Sequence, residues 1–166
     1  MDGIIVVDKQ EGWTSHDVVN RMRRLAGTKK VGHLGTLDPI ATGVLPLVIG
    51  RATRLAQFYT RRDKVYEATI RFGFATDTYD RAGAATSPES TPPALSAEML
   101  EPYLQPFRGK YLQTPPPVSV KKVAGRPAYE LARKNIAVEL EPVEIQVYDL
   151  KLLSMDGADI RVRVNC

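Results

Sequence analysis

Apolar positions recur along this chain with two different periods, and each period predicts a different element. Gly3–Asp8 holds the short apolar run Ile4 to Val7 and predicts a β-strand. Thr14 and Ser15 are helix-capping types, and Val18, Val19, Met22, Leu25 and Ala26 then fall at helical spacing. Gly27 is placed to end that helix, whose outer face is expected to carry Arg21, Arg23 and Arg24. A glycine-rich loop over 27–43 follows, then the short apolar run Val44 to Ile49, predicted as a buried strand. Arg51–Tyr59 is predicted helical, with Ala52, Leu55, Ala56 and Tyr59 on one side. In Tyr66–Gly73 the period becomes two: Tyr66, Ala68, Ile70 and Phe72 point one way, Glu67, Thr69 and Arg71 the other.

Residues 74–95 are rich in Thr, Ser, Ala, Gly and Pro and are predicted as a long surface loop, a class often used for function. Ser96 caps a predicted helix running to Leu104 that has to accommodate Pro102. Gly109–Thr114 and Val118–Val123 are expected to be strands around Pro115, Pro116 and Pro117. Pro127 suits a first helical turn leading into Tyr129–Lys134. Val143–Ser154 and Ile160–Val164 predict an antiparallel pair joined near Asp156 and Gly157. Strands and helices mix without a βαβ beat. The expected class is therefore α+β, with a mixed, largely antiparallel sheet and flanking helices.

Composition narrows the function classes. At 166 residues, 43% apolar and 25% charged, the chain suits one globular domain with a real core. Val44 to Ile49, the longest apolar run, is interrupted by Pro46 and falls far short of a membrane span. The N-terminal stretch has no basic segment ahead of Ile4 and is expected to be a strand, not a signal peptide. One cysteine, Cys166, and two histidines, His16 and His33, exclude a disulfide framework and speak against a structural zinc site. A reducing cytoplasm is the expected location.

Net charge is +4, unevenly spread. Residues 1–20 carry one lysine and four acids; residues 21–81 carry twelve Lys/Arg against five acids; residues 82–166 balance at ten each. The basic excess surrounds the glycine-rich loop. A solvated helix face is the ordinary explanation of such an excess, and a phosphate-binding surface is the other.

Chemistry concentrates in GHLGTLDPIATGVLP, residues 32–46. Phosphate-loop, dinucleotide-binding and HExxH signatures are absent, and no cysteine is placed as a nucleophile. Asp38 precedes Pro39, which pushes its backbone toward extended conformations. Gly32, Gly35 and Gly43 are expected to permit unusual dihedrals or close backbone approach. An Asx-Pro turn accounts for Asp-Pro by itself. The density of special residues, with His33 before and a buried strand after, points to a carboxylate presented by a braced loop. A carboxylate-dependent hydrolase would need a second marked carboxylate, which the pattern does not supply.

The same stretch resembles the signature of the TruB-type pseudouridine synthases, which make pseudouridine 55 in the T-loop of transfer RNA. Similar stretches follow the family order: DKQEGWTSHDVV at 8–19, GRATRLAQFY at 50–59, KVYEATIRFG at 64–73, TDTYDRAG at 76–83, FRG at 107–109 and VSVKKVAGRPAYELARKN at 118–135. The resemblance covers essentially the whole chain and favours the bacterial stand-alone type through ATGVLP.

It implies an isomerase that breaks the N1–C1′ bond of a uridine, turns the uracil and rejoins it through C5. It implies no metal and no other cofactor. Asp38 matches the essential carboxylate, which acts at the ribose by attacking C1′ or by abstracting the C2′ proton; either role needs the ionised form. His33 matches the residue that helps fill the space left by a flipped base. Tyr66 matches the ring that stacks on the uracil. Lys9 and Lys64 are candidate substrate-backbone or structural contacts. The implied partner is the T-stem-loop of tRNA, with the protein acting as a monomer without membrane attachment.

Three departures accompany the match. Gln10 stands where the family has Pro, and Val118 where it mostly has Tyr. Beyond a residue like Cys166 the family continues with S-x-G-T-Y-I-R, whose Arg pairs with the catalytic Asp. The expectation is therefore a catalytic domain over 1–166 that is incomplete at its C-terminus and lacks the C-terminal RNA-binding domain. The alternative to a competent enzyme is a catalytically impaired RNA-binding fragment of one.

Overall fold

The computed structural model describes residues 1–59, 62–115, 122–123, 126–127 and 140–166. The chain divides into two compact units, Met1–Arg62 and Asp63–Cys166. Every strand ladder among the described residues is antiparallel, in line with the expected α+β class.

The first unit is a three-stranded sheet backed by one helix. Strand β1 (Gly3–Lys9) and strand β2 (Val31–His33) flank β3 (Gly43–Ile49) in the order β1-β3-β2. Helix α1 (Ser15–Ala26) connects β1 to β2. Val18 and Val19 of α1 close against Val31, Leu45, Leu47 and Ile49, with Val7, Met22, Ala26 and Leu37 at the margin of this core. β3 is the sheet's centre, which is why its alternate residues Leu45, Leu47 and Ile49 are buried. Pro46 is tolerated there because β2 stops short of it. The residue's carbonyl accepts from Leu34 N–H at 2.9 Å. The nitrogen and carbonyl of one residue point to the same side of an antiparallel strand, so the missing donor costs β3 no bond to β1.

α1 begins with a capping box. Thr14 Oγ1 accepts from Asp17 N–H (3.1 Å) and Asp17 Oδ2 accepts from Thr14 N–H (2.9 Å). Gly27, in the left-handed region, ends the helix. Two expectations for α1 change. Leu25, placed on the apolar stripe, is 68% exposed. Arg23 does not join the outer basic face: its Nη atoms donate to Asn20 Oδ1 (3.1 Å) and to Val31 carbonyl (3.4 Å), folding the side chain back over the helix end.

The loop expected over 27–43 contains β2, which the sequence conceals because three residues carry too little periodicity. The helix expected over 51–59 opens as 3₁₀ turns (Gly50–Leu55), and only Ala56–Tyr59, α2, is α-helical. Asp2 caps those turns, accepting from Arg51 N–H (2.7 Å) and Arg51 Nε (2.9 Å).

The second unit holds the sheet β4-β10-β9, with β4 (Val65–Arg71), β9 (Asp149–Asp156) and β10 (Asp159–Asn165). It also holds the pair β5 (Gly109–Gln113) with β8 (Val143–Val147), and the short pair β6 (Lys122–Val123) with β7 (Arg126–Pro127). Helix α3 (Ala97–Leu104), capped by Ser96, contributes Leu100 and Leu104 to a core with Val147, Leu150, Ile160 and Val162. The Arg108 guanidinium pairs with Glu101 of α3 and donates to Leu150 carbonyl from Nε (3.0 Å) and Nη2 (2.8 Å), fixing helix to sheet.

The strand expected over 143–154 breaks at Tyr148, because β8 pairs with β5 whereas β9 pairs with β10. Pro127, expected in a helical turn, lies in β7 opposite Lys122, where its fixed φ is compatible with extended backbone. The Val118–Lys121 part of the expected strand and the Tyr129–Lys134 helix lie outside the described residues. β4 is an edge strand exposed along its whole length, so its period-two pattern buries nothing; only Phe72, just beyond it, packs on the second core.

Candidate active site

The loop between β2 and β3 presents Asp38, and three neighbouring elements fix it. Gly12 lies in the turn after β1 with φ +83°, a region favouring glycine, and its N–H donates to Pro39 carbonyl at 2.8 Å. Ser15, the first residue of α1 and nearly fully buried, spans Leu37. Its Oγ accepts from Leu37 N–H (2.9 Å) and donates to Leu37 carbonyl (3.1 Å). Leu37 packs its side chain on the first core. Both residues flanking Asp38 are therefore anchored. A turn bond from Ala41 N–H to Asp38 carbonyl (3.0 Å) shapes the exit. Gly43, with φ +110°, returns the chain to the sheet opposite Lys9.

Lys9 is the brace beneath. It is 1% exposed, and its ammonium donates to the carbonyls of Trp13 (2.6 Å), Gln10 (3.1 Å) and, at the limit of hydrogen bonding, Pro39 (3.5 Å). A buried ammonium is tolerable only with such partners. The Lys9 ammonium is thus turned toward main-chain carbonyls of the first unit and away from solvent.

Asp38 itself is exposed, and among the described residues no hydrogen bond or ion pair to its carboxylate is found. His33 ends β2 opposite Leu47, half-buried, with Nδ1 buried and lacking a hydrogen-bond partner among the described residues. Of Gly32, Gly35 and Gly43, expected to permit unusual dihedrals or close backbone approach, Gly43 takes a positive φ and the other two do not. A Cβ on Gly32 would meet Val48 Cγ2 at 3.6 Å, an ordinary contact.

Lys64 and Tyr66 belong to the second unit. The main chain of Lys64 is clamped to the end of β10, donating to Cys166 carbonyl (2.7 Å) and accepting from Cys166 N–H (3.0 Å). Tyr66 sits on β4 opposite Val164 and is 41% exposed. Its ring stands on a paired strand with solvent access.

Electrostatics favour an anionic ligand near the first unit. Arg21, Arg24, Lys29 and Lys30 are exposed and have no ion pair among the described residues, while Arg51 is paired with Asp2. Hydrogen bonds from Arg51, first from its backbone and then from its side chain, hold the Asp2 carboxyl below its ordinary range. The Thr14 hydroxyl and backbone do the same for Asp17. No group of three or more His, Cys, Asp or Glu side chains is placed to hold a metal ion among the described residues. Sequence reasoning missed Gly12 and Ser15 as parts of the site. Ser15 carries a capping signal, but its link to Leu37, twenty-two residues away, has no signature in a single sequence.

A family model described as TruB family pseudouridylate synthase (N terminal domain) matches residues 23–166. A relative from Solibacter usitatus, tRNA pseudouridine synthase B, is 66% identical over 166 residues, covering 100% of this chain and 56% of the relative. The protein of the same name from Aquifex aeolicus is 51% identical over 154 residues, covering 93% of this chain and 53% of its own. Among solved structures, a chain of a Cbf5-Nop10-Gar1 complex superposes with a TM-score of 0.68 at 26% identity, over 98% of this chain and 39% of that one. The chain thus spans about half the length of the curated relatives it matches.

Proposed function

Because the chain belongs to the TruB family of pseudouridylate synthases, we propose that it supplies the Asp38-bearing part of an enzyme that isomerises uridine to pseudouridine in tRNA. The substrate position in this reading is uridine 55, presented by the T-stem-loop. The observation that carries the reading is the anchoring of both neighbours of Asp38: the buried Ser15 on Leu37, and Gly12 together with the buried Lys9 on Pro39. A carboxylate that reacts at one ribose carbon has to be held in place before the substrate arrives, and positioning of this kind is worth orders of magnitude in rate.

In this reading Asp38 acts ionised at the ribose while the N1–C1′ bond breaks, and the uracil rejoins through C5. Flipping the uridine out of a folded loop costs a few kcal/mol. His33, at the end of β2, contributes to holding the vacated space, and Tyr66 stacks on the base for about 1–3 kcal/mol. Lys9 acts through the loop and not on the RNA; Lys64 remains a candidate backbone contact. The exposed cations Arg21, Arg24, Lys29 and Lys30 give phosphates a sequence-independent attraction. The enzyme works in the cytoplasm as a monomer and needs no metal.

A second reading has a specific basis. The chain matches only 56% of the length of its Solibacter relative, so in isolation it binds RNA and turns over slowly, if the remainder supplies groups that meet Asp38. One experiment separates the two. The chain is assayed alone and joined to the C-terminal remainder of the Solibacter protein, on a T-stem-loop RNA with tritium at uracil C5. Tritium release by the joined protein, lost when uridine 55 is replaced by cytidine, supports the assignment. No release from the joined protein refutes it. Equal rates from both forms refute the second reading.

A further inference from the structure

The segment that clamps the Asp38 loop also carries the chain's single tryptophan, and the clamp bonds fix where it stands. Gly12 N–H bonds to Pro39 and Ser15 Oγ bonds to Leu37. The two segments therefore run past one another in opposite directions, and Trp13 and Thr14 lie across from Asp38. Thr14 is spent on the helix cap. Trp13 uses its carbonyl to receive the Lys9 ammonium at 2.6 Å, which pins its backbone to the same buried cation that touches Pro39. Trp13 as a residue, however, is 43% exposed. It is not among the side chains packed on the first core, and no ring contact to it is found among the described residues.

A large aromatic on a rigid backbone, partly open to solvent on the segment that runs past the Asp38 loop, has π-surface to offer a ligand. We infer that Trp13 is a substrate-contacting residue: a stacking platform for an unpaired RNA base adjacent to the uridine presented to Asp38. The chemistry favours nucleic acid because any base offers a π-face, and the exposed cations Arg21, Arg24, Lys29 and Lys30 of the same unit attract phosphates without choosing a base. Lys9 then has two consequences, since one ammonium sets the position of both the carboxylate loop and the platform. The inference rests on the proposed RNA substrate.

The test uses the 166-residue chain, in which indole fluorescence has one source. A labelled T-stem-loop RNA reports binding by anisotropy while tryptophan emission is recorded. Saturation with the stem-loop is expected to quench and shift the emission, and a fully paired duplex of equal charge is expected to leave it unchanged. Trp13→Leu is expected to weaken stem-loop binding about 5- to 150-fold, the range that stacking of one base supplies. Trp13→Phe is expected to stay within about threefold of wild type, because it keeps a π-face. Binding by wild type with unmoved emission and an unaltered Trp13→Leu affinity overturns the assignment of Trp13 alone. Equal quenching by duplex and stem-loop overturns it as well. Absence of any RNA binding by wild type overturns the RNA reading and this inference together.

Discussion

Replacing Lys9 with methionine tests the brace under Asp38 without changing any residue proposed to touch RNA. Methionine keeps most of the volume and removes the charge. Two well-formed bonds vanish, to Trp13 carbonyl at 2.6 Å and Gln10 carbonyl at 3.1 Å, along with the weak one to Pro39 at 3.5 Å. Pro39 keeps its bond from Gly12, so Trp13 is the carbonyl most exposed to loss. Charge-assisted bonds contribute about 1.5–3 kcal/mol each, and a stranded buried carbonyl costs about 1–3 kcal/mol. Against this stands relief from burying an ammonium that only partners make tolerable. The net expectation is a loss of about 2–4 kcal/mol from the first unit. Urea unfolding read by the Trp13 fluorescence reports that unit. With a slope of about 1–3 kcal/mol per M, the midpoint is expected to fall by roughly 1–2 M. Lys29→Met, at an exposed lysine, is the control and is expected to stay within about 0.5 kcal/mol. A Lys9→Met midpoint equal to that of the control would refute the bracing role.

Further expectations follow from the same geometry. Ser15→Ala leaves Leu37 N–H without its partner and is expected to cost about 1–3 kcal/mol by the same unfolding assay; a change below about 0.5 kcal/mol, the size of a neutral surface substitution, contradicts the anchoring. Gly43→Ala forces a Cβ into φ +110° and is expected to destabilise the first unit by about 1–3 kcal/mol, although space around the position is open; an unchanged midpoint counts against strain at this hinge. Acid is expected to weaken the fold. Asp2, Asp17 and Glu101 have folded pKa values below their ordinary ones, through bonds from Arg51, Thr14 and Arg108 respectively. Their contribution is full above about pH 4, the unfolded range, and is lost as pH falls through the depressed folded values. Asp2→Asn, Asp17→Asn and Glu101→Gln combined are expected to flatten the acid limb of a stability-against-pH curve, and an unaltered limb contradicts the assignment.

Element existence was readable wherever one period ran long enough. α1 shows this best: cap, Gly27 and the stripe apart from Leu25 agree, and the helix lies at Ser15–Ala26. β3 and the β9–β10 hairpin were readable for similar reasons. The failures have local causes. β2 is three residues long, and β8 and β9 are separated by Tyr148 alone, where partner choice and not composition ends the strand. The alternation of Tyr66, Ala68, Ile70 and Phe72 announced a strand correctly but not its environment, since an edge strand can carry the pattern without a covering layer. At the site, Asp38 and His33 stood out because special residues cluster around them. The supports did not. Nothing in one sequence pairs Ser15 with Leu37 or sends the Lys9 ammonium to Trp13, because such bonds depend on how β1, α1 and the loop close on each other.

The central claim is that Asp38 carries the chemistry and not the affinity. Asp38→Asn keeps the shape and removes the ionisable group. In the chain joined to the Solibacter C-terminal remainder, tritium release from 5-tritiated T-stem-loop RNA is expected to disappear in this variant. Its RNA affinity is expected to remain within about tenfold of wild type, because the phosphate contacts persist. Undiminished release from Asp38→Asn contradicts the account.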